Sequence, residues 1–67
     1  MDLMTQMALN DWQSLNKMLS SFREDQVAAM LEHERGDKKR KDVLKRLHQR
    51  VSKLRSAREW AELEASL

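Results

Sequence analysis

Ten lysine and arginine side chains crowd the twenty-one residues from Lys38 to Arg58: Lys38, Lys39, Arg40, Lys41, Lys45, Arg46, Arg50, Lys53, Arg55 and Arg58. One acid, Asp42, stands among them. Cations at this density attract polyanions, and side chains spread along a helix can follow a row of phosphates. Lys38, Lys41 and Lys45 fall on one flank, and Arg46, Arg50 and Lys53 on the other, so that the two rows can straddle a backbone. A solvated face that only keeps the protein soluble is the competing reading. No aromatic residue interleaves with these cations, which argues against base stacking on this surface. Nor do the turns resemble those of a helix-turn-helix reader, so backbone contacts without sequence reading are expected.

Other chemistry is poorly supplied. His33 and His48 lie on neighbouring segments near Glu32, Glu34 and Asp37, but no ligand pair has the helical spacing of a metal site. Arg35-Gly36-Asp37 spells an integrin-binding tripeptide, yet helix capping already accounts for those residues. No nucleophile stands at a useful spacing from a base, and there is no glycine-rich phosphate loop. The reading is a non-enzymatic protein without metal or cofactor.

These cations need a scaffold, and the composition specifies its class. The 67 residues include no proline, no cysteine and one glycine, with 36% charged residues, a mixture that reads as nearly all helix. Disulfides and thiolate metal sites are excluded. A chain this small forms one domain, has no room for a deep catalytic cleft, and draws only about 3–5 kcal/mol from a single core. The longest apolar run, Val27 to Leu31, is too short to span a bilayer. No signal peptide is visible, and a cytoplasmic location is the default. The net charge of +2 hides an uneven distribution: about −4 over residues 1–37, +9 over 38–58 and −3 over 59–67. That pattern concentrates anion attraction in one segment.

The expected architecture is a small three-helix domain, with helices at about 10–19, 22–35 and 37–65. The first is a short helix packed on an antiparallel hairpin of the other two. Residues 1–5 are expected to fray, although a start near Asp2 would continue the same face through Met4 and Ala8. Asn10 is the expected cap of the first helix and Ser21, with Glu24, of the second. Gly36 supplies a left-handed helix end, and Asp37 then caps the third helix across a link of two or three residues. Along the third helix Leu44, Leu47, Val51 and Leu54 share one face. The expected core is Trp12, Leu15, Leu19, Phe22, Met30, Leu44, Leu47, Val51 and Leu54. On the second helix, Phe22, Ala29, Met30 and His33 are taken to share the inner face. Met4, Met7, Met18 and Met30 serve as adaptable fillers.

Two features depart from a sequence tuned only for folding. Cations crowd the positive end of the third helix dipole and Glu59, Glu62 and Glu64 its negative end, both of unfavourable sign. Glu32 and Glu34 can neutralise the basic turn across the hairpin, two copies of the third helix can pair antiparallel, or the basic turn and helix N-terminus can together hold an anion. Second, Trp60, Leu63 and Leu67 lie roughly 160–220° round the helix from Leu47. They form either a patch for self-association or a partner, or a surface that the first helix covers.

The run Leu31-Glu32-x-Glu34-x-Gly36-x-Lys38-Lys39-Arg40, with Val43-Leu44, Arg46-Leu47-His48-Gln49-Arg50, Leu54-Arg55 and Ala57-Arg58-Glu59, resembles small helical accessory proteins encoded by tailed bacteriophages. An upstream Asp11-Trp12 fits the same pattern. The resemblance covers about two thirds of the chain and implies a bacterial host cytoplasm and a role in DNA transactions. In length and hairpin form alone the chain is also similar to the plasmid repressor-of-primer protein, which dimerises and binds RNA. Three functions follow in order. The first is nucleic-acid phosphate binding through Lys38, Lys39, Lys41, Lys45, Arg46, Arg50, Lys53 and Arg55. The second is modulation of an acidic host protein by that surface together with Trp60, Leu63 and Leu67. The third is homo-oligomeric assembly through the latter patch. No membrane partner is expected.

Overall fold

Capping decides where the helices begin. The computed structural model describes residues 1–67 and contains helices and turns only: α1 (Leu3–Ala8), α2 (Trp12–Met18), a 3-10 turn (Leu19–Ser21), α3 (Glu24–Gly36) and α4 (Lys41–Ala65). The Asp2 carboxylate accepts the Thr5 N–H at 2.9 Å, nucleating a first helix where fraying was expected. Thr5 is buried beneath it. Asp11, not Asn10, caps α2 by accepting the Ser14 N–H at 2.7 Å. Its β-region backbone and carboxylate satisfy an orphan donor of the first turn.

Ser21 does not cap the next helix. Its hydroxyl donates to the Met18 carbonyl at 2.6 Å and closes the 3-10 turn instead. Helix α3 therefore starts two residues later than expected, at Glu24, with the Gln26 side chain accepting the Arg23 N–H. Glu24 and Asp25 lie in its first turn, the favourable end for acids.

The link from α3 to α4 spans residues 37–40 rather than two or three residues, and α4 begins at Lys41. Gly36 has no positive φ; Lys39 does, at φ 54°. A non-glycine residue there bears about 1–2 kcal/mol of strain. The turn is held by Glu34, whose main-chain carbonyl accepts the Lys39 N–H at 2.9 Å and whose side chain accepts the Arg40 N–H at 2.9 Å. Asp37 closes α3 instead of opening α4.

Helices α3 and α4 form the antiparallel hairpin that the short link imposes. Glu34 meets Arg40 at one end and Glu24 meets Arg58 at the other, each at 2.8 Å. The inward stripes are Val27, Met30 and Glu34 on α3 and Val43, Leu47 and Val51 on α4, spaced at three and four residues as a helical face requires. Ala29 and His33, expected inside, are exposed, and Val27 takes their place. Leu15, Leu19 and Phe22 complete the core with Ala8 of the added first helix and its C-cap Leu9, Leu54 packs at its edge, and Leu44, expected inside, is half-buried while its neighbour Val43 takes the core position. Trp12 is not a core residue: it remains 46% exposed. The main-chain carbonyl of Leu9, the C-cap of α1, accepts from Arg40 and ties the end of α1 to the start of α4.

Helix α4 is 25 residues, about 37 Å at 1.5 Å per residue, and sets the 42 Å long dimension of the molecule. Past Leu54 every residue is exposed. No helix is long and apolar enough to cross a membrane.

Candidate anion-binding surface

Where the acids go determines which cations remain available. Six of the seven acids of residues 1–37 are engaged. Asp2 and Asp11 cap helices. Asp25 pairs with Arg23, Glu32 with Arg35, Glu34 with Arg40 and Glu24 with Arg58, while Asp37 lies 3.8 Å from His33 Nε2. Only two of these partners belong to the basic stretch. Lys38, Lys39, Lys41, Lys45, Arg46, Arg50, Lys53 and Arg55 make no ion pair. These are the eight residues that charge and spacing single out.

The two paired arginines do structural work. Arg40 donates from Nε and Nη2 to the two Glu34 carboxylate oxygens at 2.8 and 2.9 Å, and from Nη2 to the Leu9 carbonyl at 3.0 Å. It thus joins α1, α3 and α4. Hydrogen bonding to Arg40 holds the Glu34 carboxyl below its ordinary range against the opposing effect of burial. Arg58 bridges Glu24 and Glu62, which raises its own pKa further.

The basic turn is therefore neutralised in part by Glu34, as one of the three accounts required. The account that places an anion at the α4 N-terminus loses two donors, because Glu34 takes the Arg40 N–H and Asp42 takes the Val43 N–H at 2.9 Å.

The free cations occupy two settings. Lys38 and Lys39 stand on the interhelical turn, with Lys41 and Lys45 exposed on the first turns of α4. Arg46, Arg50 and Lys53, at spacings of four and three, follow one flank of α4, and the first two meet α2 and its 3-10 turn. There Arg46 Nε donates to Asn16 Oδ1 at 3.1 Å and Arg50 Nη2 to the Ser20 carbonyl at 3.4 Å. Both contacts advance by four residues together, so α2 and its 3-10 turn run parallel to α4. Arg50 Nε is buried with no hydrogen-bond partner, leaving this guanidinium incompletely satisfied at the seam. Arg55 is exposed and adds a weaker favourable charge to Glu24, behind the direct bond from Arg58.

Two residues enter this surface only in three dimensions. Lys17 is exposed on α2 and makes no ion pair, and it lines a shallow depression with Trp12, Gln13 and Asn16. Because Asn16 carries the bond from Arg46, this depression borders the arginine flank. The sequence signal for it is the i, i+4 spacing of Trp12, Asn16 and Ser20, which aligns with Arg46 and Arg50 only once α2 is seen to run parallel to α4.

Trp60, Leu63 and Leu67 are not covered by another helix; they remain 61%, 59% and 103% exposed on the overhanging end of α4. The histidines form no cluster with acids that could hold a metal ion.

A family model described as "Domain of unknown function (DUF8129)" matches residues 6–57. That range runs from within α1 through the basic part of α4, includes all eight free cations and Trp12, and stops before Trp60. No curated protein and no solved structure matches the chain. The match spans most of the chain, and the protein belongs to the DUF8129 family.

Proposed function

We propose that this protein is a non-enzymatic binder of nucleic-acid phosphates, with contacts made by Lys38, Lys39, Lys41, Lys45, Arg46, Arg50, Lys53 and Arg55. One observation carries the reading: these eight cations make no ion pair although eleven acids lie in the same small fold. Of the α3 acids, Glu24 and Glu34 take Arg58 and Arg40, and Asp25 and Glu32 take Arg23 and Arg35, which leaves the eight cations free for an outside anion. From Lys41 to Arg55 the row is about 21 Å long, comparable with roughly six base-pair steps of duplex at 3.4 Å each. The setting implied by the phage-like pattern, DNA transactions in a bacterial cytoplasm, belongs to the same proposal.

The test is binding of the purified protein to a labelled random-sequence duplex across a salt series. Engagement of five to eight phosphates gives a log–log slope of about −4 to −7. Salt-independent binding, or none at low salt, would remove the reading.

The exposed end of α4 favours a second reading, in which Trp60, Leu63 and Leu67 meet a groove on a protein partner or a second copy. Light scattering over a concentration series tests the second-copy form. A mass that rises with concentration in the unmutated protein and stays monomeric in Trp60→Ala is expected; a monomer throughout contradicts it.

A further inference from the structure

We infer that the face of α2 beside the arginine flank holds an unpaired base of single-stranded nucleic acid on Trp12, while the strand's phosphates follow Arg46, Arg50 and Lys53. This rests on the phosphate-binding reading and gives it a partner class. Trp12 is 46% exposed although indole is among the most favourable groups to bury. It lies one helical turn from Asn16, which accepts the Arg46 hydrogen bond, and lines the shallow depression with Lys17. An aromatic face beside a row of unpaired cations is the arrangement that sequence-tolerant single-strand binders use, since every base has a stackable face. The parallel course of α2 and α4 sets direction as well. Asn16 meets Arg46 and Ser20 meets Arg50, which sets Trp12 one turn before Arg46, level with Asp42, so a strand whose base rests on Trp12 runs from there along Arg46 and Arg50 toward Lys53. A duplex keeps its bases stacked internally and presents only its backbone to the same cations.

Arg50 adds a second, independent sign that this seam is unfinished. Its Nε is buried without a partner and its one hydrogen bond, to the Ser20 carbonyl, is long at 3.4 Å. A phosphate oxygen at the seam supplies the charged acceptor that the guanidinium lacks and draws it outward from a poorly satisfied position.

The experiment compares an oligothymidylate with a random duplex of equal length, by anisotropy at low salt, for the unmutated protein, Trp12→Ala and Trp12→Phe. Trp12→Ala is expected to weaken single-strand binding by roughly 5- to 150-fold, the range of one lost stacking contact, and to leave duplex binding within about twofold. Trp12→Phe should retain most of the single-strand affinity. In a Trp60→Phe background, the emission of Trp12 is expected to be quenched by the oligothymidylate and unaffected by heparin, a polyanion without bases. Equal losses on both nucleic acids, no loss on either, or quenching by heparin would overturn the inference while leaving phosphate binding in place. Absence of binding to both nucleic acids by the unmutated protein would instead remove the phosphate reading on which it rests.

Discussion

Arg40→Ala is expected to unfold most of the protein at physiological temperature, and Glu34→Gln to lower stability by a smaller but large amount. Both residues sit where three helices meet, but their surroundings differ. The Glu34 side chain is 1% exposed and that of Arg40 is 30% exposed. Removing Arg40 takes both side-chain hydrogen bonds and the adjacent charge from a buried carboxylate and leaves it the residue-40 N–H and the weaker charge of Lys38, a loss of about 3–5 kcal/mol. Removing the charge of Glu34 leaves a guanidinium that can still reach solvent. A domain of this size draws only about 3–5 kcal/mol from its core, so the first loss consumes nearly all of it. Melts followed by circular dichroism should show no cooperative transition for Arg40→Ala. For Glu34→Gln the midpoint should fall by more than about 10 °C, at some 4–8 °C per kcal/mol. A pair that contributed little would leave both midpoints within a few degrees of the unmutated protein.

The same pair fixes the acid response. Arg40 depresses the folded-state pKa of Glu34 from its ordinary value of 4.5. The resulting stability is fully present above that ordinary value and is lost as pH falls through the lower folded value. Acid therefore destabilises the unmutated protein, and Glu34→Gln, already lacking this contribution, shows a shallower loss over the same window.

The second large effect concerns binding. Reversing Arg46, Arg50 and Lys53 to glutamate is expected to reduce affinity for a random duplex by at least about a hundredfold at moderate salt. It should also flatten the salt slope by about three contacts. Lys53 is exposed and Arg46 and Arg50 are half-buried, and the interactions lost with the protein itself are the Arg46–Asn16 and Arg50–Ser20 hydrogen bonds. The far-ultraviolet spectrum and the cooperative melt should persist. Reversing Arg35, Arg23 and Arg58, which are engaged with acids, provides the control of equal charge change. If both triple variants lose affinity equally, binding depends on net charge and not on the free cations.

How much of this was legible in the sequence varied with the range of the interaction. The antiparallel hairpin follows from a short link and is present, whereas the expected α4 stripe is present only at Leu47, Val51 and the edge residue Leu54, because Val43 and not Leu44 turns inward on the first turn. The cationic row is equally local, and the structure leaves unpaired the eight residues that spacing chose. The misplaced boundaries came from competition between neighbouring polar residues. Asn10 and Asp11 can each cap, and so can Ser21 until its hydroxyl is taken by Met18, leaving one winner that geometry alone selects. The α3–α4 link was misread because its determinant is Glu34, an acid from within the preceding helix that holds both Lys39 and Arg40. The apolarity of Trp12 points to the core, but nothing local reveals that Ala8 and Leu9 are buried there while the indole stays exposed. Lys17 joins the surface only through the depression it shares with Asn16, the partner of Arg46, a relation that depends on the parallel packing of α2.

The central claim is that the free cations of the turn and of α4 form the binding surface. The most direct measurement is an amide and arginine Nε–H correlation spectrum of the labelled protein, titrated with a short oligonucleotide at low salt. The account predicts progressive shifts confined to Lys38–Arg55, the Nε–H signals of Arg46 and Arg50, and the facing residues of α2. Shifts centred on Trp60–Leu67 or on the outer face of α3, with the arginine signals unmoved, would contradict it.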